Sequence, residues 1–249
     1  MSRSVSLRAW QAEALERFSG ARPANFMTVA CPGAGKTTFA LAAVRQRLAG
    51  ERLPVVVVVP TQHLKTQWAS AAHAFGLHLD PAWSTSDGGI PSDMHGIVVT
   101  YSQAASSAQA LARIAAGGVA VLDEIHHAAH ERSWGKGVRQ AFEGCWCRLL
   151  LSGTPFRTDD SPIPFVEYSF GDHGDAMADY DYGYGEALEE GGVDRPVFFP
   201  RFDGHMEWLN ADGEERAGTF EDELVKAEWG ARLRTALSLD GQWLPSVLA

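Results

Sequence analysis

The sequence predicts an α/β fold in which a parallel β-sheet carries helices on both of its faces. Two observations support this prediction. Over the first 155 residues, short apolar runs of strand length alternate with longer, Ala-rich stretches of helical character, which is typical of parallel strands buried on both faces. In addition, polar residues follow the apolar runs, at the edge where a parallel sheet binds its ligands.

The alternating segments can be placed in order along the chain. The predicted strands are Phe26–Ala30, Val55–Val59, Ile97–Thr100, Val119–Asp123 and Arg148–Leu151. The predicted helices between them are Lys36–Ala49, Gln62–Phe75, Gln103–Ala115 and Trp134–Phe142. After about Phe156 the alternation ends, and prolines, glycines and acidic residues follow.

Charge marks a boundary at the same place. The net charge is −10. Up to Thr158 the chain has 15 basic and 10 acidic residues, and from Asp159 onward it has 6 and 21. The first part is suited to a phosphate backbone and the second would repel one. We therefore predict a folded α/β domain over residues 1–160 and an irregular acidic C-terminal extension over residues 161–249.

Composition argues against membrane insertion and a disulfide framework. No apolar run approaches the roughly 20 residues that a membrane helix needs, and no signal peptide is evident at the N-terminus. The three cysteines are Cys31, Cys145 and Cys147. Their spacing indicates neither paired disulfides nor a zinc site, so we expect free thiols in a reducing cytoplasm.

A phosphate cradle follows the first predicted strand. The segment Ala30–Thr37 reads Ala-Cys-Pro-Gly-Ala-Gly-Lys-Thr and leads into a predicted helix. Its glycines let the backbone wrap around phosphates, while the helix N-terminus faces the anion. Lys36 would reach the β- and γ-phosphates, and the Thr37 hydroxyl would bind Mg²⁺. The predicted nucleotide-binding residues here are Pro32, Gly33, Ala34, Gly35, Lys36, Thr37 and Thr38. The alternative is a glycine-rich turn with a chance Gly-Lys-Thr.

Two adjacent carboxylates end the fourth predicted strand. Asp123 and Glu124 follow the apolar run Val119–Leu122, and such a pair is costly unless it meets a cation. We assign Asp123 to Mg²⁺ and Glu124 to the water that attacks the γ-phosphate, so Lys36, Asp123 and Glu124 are the predicted catalytic residues. A solvated turn is the alternative.

Histidines next to this pair suggest a second metal hypothesis. His126 and His130 are four residues apart, and Glu131 follows. The sequence lacks the His-Glu-x-x-His arrangement of a zinc protease, so surface or capping positions are favoured for His127 and His130.

These motifs together resemble the first RecA-like domain of superfamily 2 helicases and translocases, in the DExH (DEAD/DEAH-box) group. The resemblance covers residues 5–158. The matching segments are Leu7–Gln11, the P-loop (Walker A) segment Ala30–Thr37, Val59–Thr61 with Gln67-Trp68, Val98–Tyr101, the Walker B segment Asp123–His126, and Ser152–Pro155. The run Phe156–Asp159 is similar to restriction-type and phage-type members.

The resemblance implies an ATP-hydrolysing nucleic-acid motor that uses ATP and Mg²⁺. His126, Ser152 and Thr154 would couple the γ-phosphate to domain movement. Gln11 would bind the adenine edge; a solvated helix residue is the alternative.

The resemblance also implies a track for nucleic acid, DNA more than RNA. It would be lined by Pro60, Thr61, Thr100 and Tyr101. Thr61 could instead be the N-cap of the next helix, and Tyr101 a packing aromatic.

No second RecA-like domain is recognisable after residue 160. A motor of this class needs one, because its arginines stabilise the transferring phosphoryl group. We therefore expect either that the chain is a fragment or that a protein partner supplies this domain in trans, in the cytoplasm of a bacterial cell or a phage-infected host. The alternatives are an ATP-gated DNA-binding or regulatory module and a truncated, inactive remnant.

Overall fold

The computed structural model describes residues 5–21, 23–49, 51–129, 132–153, 163–169, 176–191, 206–209 and 215–218. The chain divides into two compact units, Met1–Asp194 and Arg195–Ala249. The first unit contains the predicted α/β sheet, and the second contains a pair of antiparallel strands.

Seven parallel strands form the sheet of the first unit. They are β1 (Asn25–Ala30), β2 (Val55–Val59), β3 (Leu79–Asp80), β4 (Gly96–Thr100), β5 (Val119–Leu122), β6 (Cys147–Ser152) and β7 (Tyr180–Tyr182). Their order across the sheet is β3-β4-β2-β5-β6-β1-β7. The strands that carry the predicted ATP site, β1 and β5, therefore flank β6.

Helices connect the strands. They are α1 (Ala9–Ala21), α2 (Lys36–Arg47), α3 (Gln62–His73), α4 (Tyr101–Ser106), α5 (Ala108–Ile114), α6 (Arg132–Phe142) and α7 (Tyr184–Glu189). The predicted helix Gln103–Ala115 is two helices, separated at Ser107. The Ser107 hydroxyl hydrogen-bonds Thr85 at 2.7 Å, and serine favours such breaks by bonding outside the helix.

Helices cover both faces of the sheet. Along β2, Val55, Val57 and Val59 pack in one core cluster with residues of α1, α2 and α3. Val56 and Val58 pack in the other cluster, with residues of α4, α5 and α6. All five valines are buried, as expected for a strand covered on both sides. The predicted fold class is confirmed.

The sheet extends beyond the predicted boundary at residue 160. Strand β7 pairs with β1 in parallel, with Tyr180 opposite Thr28 and Tyr182 opposite Ala30. Both tyrosines are buried and Asp181 is exposed, the alternation of a strand with one covered face. Residues 176–191 therefore belong to the first unit, which differs from the predicted irregular extension. Acidic and glycine residues around this short strand hide its pattern.

In the second unit, β8 (Met206–Leu209) and β9 (Glu215–Gly218) form an antiparallel pair. The rest of the predicted extension in this unit lies outside the described residues. No helix in the described part of the chain is both long and apolar enough to cross a membrane.

Candidate active site

The predicted phosphate cradle is a tight loop between β1 and α2. It turns at Gly33 and Gly35, whose φ angles are 79° and 93°. These values lie in the left-handed region that only glycine adopts without strain. Lys36 is the first residue of α2, so its side chain begins where the helix N-terminus faces the end of the sheet.

Side chains from the start of the chain hold the carbonyl groups of this loop. Arg8 donates to the Gly33 and Ala34 oxygens at 3.3 and 3.2 Å. The Trp10 indole N–H donates to the Ala34 oxygen at 3.1 Å. The conformation of the loop is therefore fixed by a segment more than 20 residues away in sequence.

Gln11 belongs to the same support. Its side-chain amide donates to the Gly35 oxygen at 2.9 Å, and its side-chain oxygen accepts from the Arg8 N–H at 2.8 Å. The side chain is 2% exposed, so the solvated alternative is wrong. Adenine recognition by Gln11 stays a prediction.

Lys36 and Glu124 meet between the ends of β1, β5 and β6. The Lys36 ammonium lies 3.2 Å from Glu124 Oε1 and donates to the Ala30 carbonyl at 3.0 Å. The other Glu124 oxygen accepts from the Gly153 N–H at 3.0 Å. Three segments that are far apart in sequence thus converge on one carboxylate.

The backbone of Glu124 is strained. Its φ is 49°, a conformation that costs a non-glycine residue on the order of 1–3 kcal/mol and that clusters at functional sites. Space is also limited at Gly153, because a Cβ at this position would lie 3.3 Å from the Lys36 ammonium. Both observations mark a crowded centre built for a particular arrangement.

Asp123 is buried beside this centre. It is 8% exposed, and burial raises the pKa of its carboxyl to about 6, with the nearby Glu124 adding to the rise. The Trp68 indole N–H donates to Asp123 Oδ2 at 2.8 Å, which opposes the rise by stabilising the charged form. A carboxylate desolvated to this degree is suited to a cation.

His126 links the ends of β5 and β6. Its Nδ1 lies 3.0 Å from the Ser152 hydroxyl and 3.5 Å from Glu124 Oε2. The structure therefore brings together two of the three predicted coupling residues, while Thr154 lies outside the described residues. Within the described ranges, no group of three or more His, Cys, Asp and Glu residues is arranged to hold a metal ion. His130 is outside them.

The four residues predicted to line the nucleic-acid track divide into two pairs in the structure. Pro60 is half-buried and Thr61 is exposed at the start of α3; Thr61 precedes α3 as its N-cap but makes no side-chain capping bond. Thr100 is 5% exposed and caps α4 through Gln103.

The prediction that Tyr101 lines the nucleic-acid track is wrong. Its ring is fully buried and its hydroxyl donates to the Asp123 main-chain oxygen at 2.9 Å. The packing alternative therefore holds, because a side chain in the core does not line a surface.

Two buried polar residues of α3 were not assigned roles from the sequence. Trp68 contacts Asp123, and the Lys65 ammonium donates to Gln103 Oε1 at 3.1 Å. Both lie on the core-facing side of α3. The sequence offered one signal for these roles: a polar side chain at a core position of an amphipathic helix.

The family comparison agrees with this geometry. Residues 4–157 match the family model described as type III restriction enzyme, res subunit. The chain belongs to this family. The match covers Ala30–Thr37, the Asp123–Glu124 pair and Ser152–Gly153, and it confirms the predicted superfamily 2 RecA-like first domain.

Curated relatives match nearly the whole chain. An uncharacterized protein of Mycobacterium tuberculosis (strain H37Rv) is 44% identical over 97% of this chain, and one of Mycobacterium leprae is 41% identical over 99%. The chain spans 41% and 42% of the length of these relatives.

Solved structures share the fold of this type III restriction enzyme family domain. The Sulfolobus solfataricus SWI2/SNF2 ATPase core in complex with double-stranded DNA matches with a TM-score of 0.52 and 22% identity, over 62% of this chain and 33% of that one. A nuclease-deletion mutant of the type ISP restriction-modification enzyme LlaGI, in complex with a DNA substrate mimic, has a TM-score of 0.53 and 16% identity, over 75% and 21%. The family match and these shared folds together support a helicase-like ATPase domain in the first unit.

Proposed function

We propose that this chain is the ATP-binding and ATP-hydrolysing first half of a DNA helicase or translocase. The observation that carries the proposal is the convergence of Lys36, Glu124 and the Gly153 N–H at one point, with Asp123 buried beside them. An ammonium, a strained carboxylate and a desolvated carboxylate at the ends of parallel strands suit a nucleotide with its cation.

The residues fit Mg²⁺ and ATP. Gly35 has a φ of 93°, and a Cβ there would lie 2.6 Å from Gln11 Nε2, so any other residue would strain this turn of the cradle and displace Gln11. Its N–H groups and the start of α2 would bind phosphate oxygens, and Lys36 would add a charge to the same anion. Thr37 and Asp123 would hold the cation.

Hydrolysis would depend on Glu124. Bound Mg²⁺ would supply Lewis-acid stabilisation of charge on the phosphoryl group. The Glu124 carboxylate would orient the attacking water and take its proton. The Gly153 N–H already fixes one of its oxygens, which preorients the base.

Coupling would run through the same carboxylate. His126 contacts both Glu124 and Ser152, so a change at Glu124 reaches the end of β6. We infer that His126, Ser152 and Thr154 transmit the nucleotide state towards the second motor domain.

DNA is the proposed track. The compared Sulfolobus core and LlaGI were solved with DNA or a DNA mimic, and the exposed Thr61 with Pro60 lies at the same edge of the sheet as the ATP site. Contacts from these residues would go to phosphates and sugars, which makes binding tolerant of sequence.

A second RecA-like domain would complete the motor. The relatives are more than twice as long as this chain, which leaves room for such a domain, supplied in the same polypeptide or in trans. Residues 161–249 would then lead toward it.

The described cysteines are free and buried, which fits a reducing cytoplasm.

The test combines nucleotide binding with hydrolysis. A fluorescent ATP analogue is titrated into the chain with Mg²⁺, and phosphate release is followed with and without DNA. Lys36→Ala should weaken binding at least tenfold. Glu124→Gln should keep binding but slow hydrolysis by about 10²–10⁴-fold.

Matched controls are Lys136→Ala and Glu143→Gln, which change exposed residues of the same types. Both should behave like the unchanged chain. Nucleotide binding that is equal in Lys36→Ala and Lys136→Ala would refute the proposed site.

A further inference from the structure

The indole of Trp68 makes a buried bond to the carboxylate proposed to hold Mg²⁺. Trp68 is 2% exposed, and its N–H donates to Asp123 Oδ2 at 2.8 Å. An indole N–H can only donate, so in this contact the indole is the donor and the carboxylate oxygen is the acceptor. A hydrogen bond to a charged acceptor is among the stronger ones in proteins.

The bond defines the orientation of the carboxylate. Asp123 directly follows β5, and its main-chain N–H donates to the Val58 oxygen at 2.9 Å. With the backbone held by the sheet and Oδ2 held by the indole, rotation of the carboxyl group is restricted. The protein thus holds the carboxyl group in one orientation, which is what support behind a metal ligand requires.

The helix that carries Trp68 is itself anchored. One turn earlier, the buried Lys65 donates to Gln103, whose side chain also accepts from the Thr100 N–H at 3.0 Å. This second tie connects α3 to the end of β4. Such support from outside the ligand shell keeps a site at the geometry that it needs.

We propose that Trp68 is a positioning residue for the magnesium site: its indole N–H holds Asp123 in the orientation that binds Mg²⁺. The inference rests on the proposed function. It differs from a packing role, because packing uses the rings whereas positioning uses the N–H. Replacement by phenylalanine removes the N–H and keeps an aromatic ring.

The chain provides a matched control. Trp83 is 1% exposed, and its Nε1 is buried without a hydrogen-bond partner. Trp83→Phe therefore deletes the same atoms from an equally buried site without breaking a bond. Any difference between the two variants reports the bond to Asp123.

The experiment measures affinity for a fluorescent ATP analogue, with Mg²⁺ and with EDTA, in the full chain and in both variants. In Trp68→Phe, we expect the Mg²⁺-dependent gain in affinity to fall about tenfold, the low end of the loss seen when groups behind a metal ligand are removed. Affinity in EDTA should be unchanged. Trp83→Phe should retain the full gain.

The outcomes separate this inference from the proposed function. If the unchanged chain binds no nucleotide, the proposed function fails and the inference fails with it. If it binds with a Mg²⁺-dependent gain that Trp68→Phe retains as Trp83→Phe does, only the inference is overturned. A loss of affinity in EDTA as well would show that the indole supports the fold, which also overturns the positioning role.

Discussion

Three glycine-to-alanine substitutions test whether Gln11 supports the phosphate cradle. Gly20 lies in α1 with no atom within 4 Å of an added Cβ. Gly33 has a φ of 79° and equally open space. Gly35 has a φ of 93°, and its Cβ would lie 2.6 Å from Gln11 Nε2. Along the series, the first substitution has no steric cost, the second adds an unfavourable backbone conformation, and the third adds a clash with Gln11.

The expected free energies of unfolding follow from these differences. Gly20→Ala should stabilise the first unit by about 0.5 kcal/mol, because alanine is the better helix residue. Gly33→Ala should cost about 1–2 kcal/mol for its left-handed backbone. Gly35→Ala should cost that amount and about 2 kcal/mol more, because Gln11 would lose two partly buried hydrogen bonds of about 1 kcal/mol each.

Urea unfolding followed by far-ultraviolet circular dichroism measures the series. With a slope of about 1–3 kcal/mol per molar, the difference between Gly35→Ala and Gly33→Ala corresponds to about 1 M in midpoint. In a Gln11→Ala background the obstacle and its two hydrogen bonds are already absent, so the further cost of adding Gly35→Ala should fall to that of Gly33→Ala. Equal midpoints for Gly33→Ala and Gly35→Ala would refute the role of Gln11.

Two further predictions concern Asp123 and the proposed track. Because folding raises the pKa of Asp123 to about 6, the native state binds more protons than the unfolded chain between about pH 4 and 6, and this group lowers stability as pH rises through that window. Asp123→Asn should therefore raise the unfolding free energy by about 3 kcal/mol at pH 8, and by about half of that at pH 5; a gain equal at both pH values would contradict the burial argument. Thr61→Ala should weaken DNA stimulation of hydrolysis without changing nucleotide affinity, whereas Tyr101→Phe should leave stimulation intact and cost about 1 kcal/mol of stability. Stimulation lost in Tyr101→Phe and kept in Thr61→Ala would place the track elsewhere.

The five predicted strands and the cradle were accessible from sequence because their signals are local. A run such as Val55–Val59 is apolar throughout, and a strand–loop–helix order around Gly-Lys-Thr needs no distant contact to be recognised. Strand β7 was missed for the opposite reason. Its three residues become a strand through pairing with β1 and through the stacking of Tyr182 on Trp10, whose ring centroids lie 5.1 Å apart.

The partners of the catalytic residues were equally inaccessible. The bonds from Trp68 to Asp123 and from Gly153 to Glu124 join segments 55 and 29 residues apart. Tyr101 shows another limit of prediction from sequence. Whether a residue directly after a strand lies on the surface or in the core depends on how the next helix begins, which the sequence pattern does not reveal. Here α4 begins at Tyr101 and directs the ring inward.

The ion pair of Lys36 with Glu124 decides how the hydrolysis variants are to be interpreted. Both groups are needed elsewhere in the proposed reaction, Lys36 at the phosphates and Glu124 at the water, so nucleotide binding must exchange this pair for new partners. Lys36→Ala removes the phosphate contact and also leaves a half-buried carboxylate without its cation, which disturbs the base. Glu124→Gln leaves Lys36 its contact with the Ala30 carbonyl and keeps the shape of the side chain. Retained binding with lost hydrolysis in Glu124→Gln is therefore the cleaner evidence for the assigned roles.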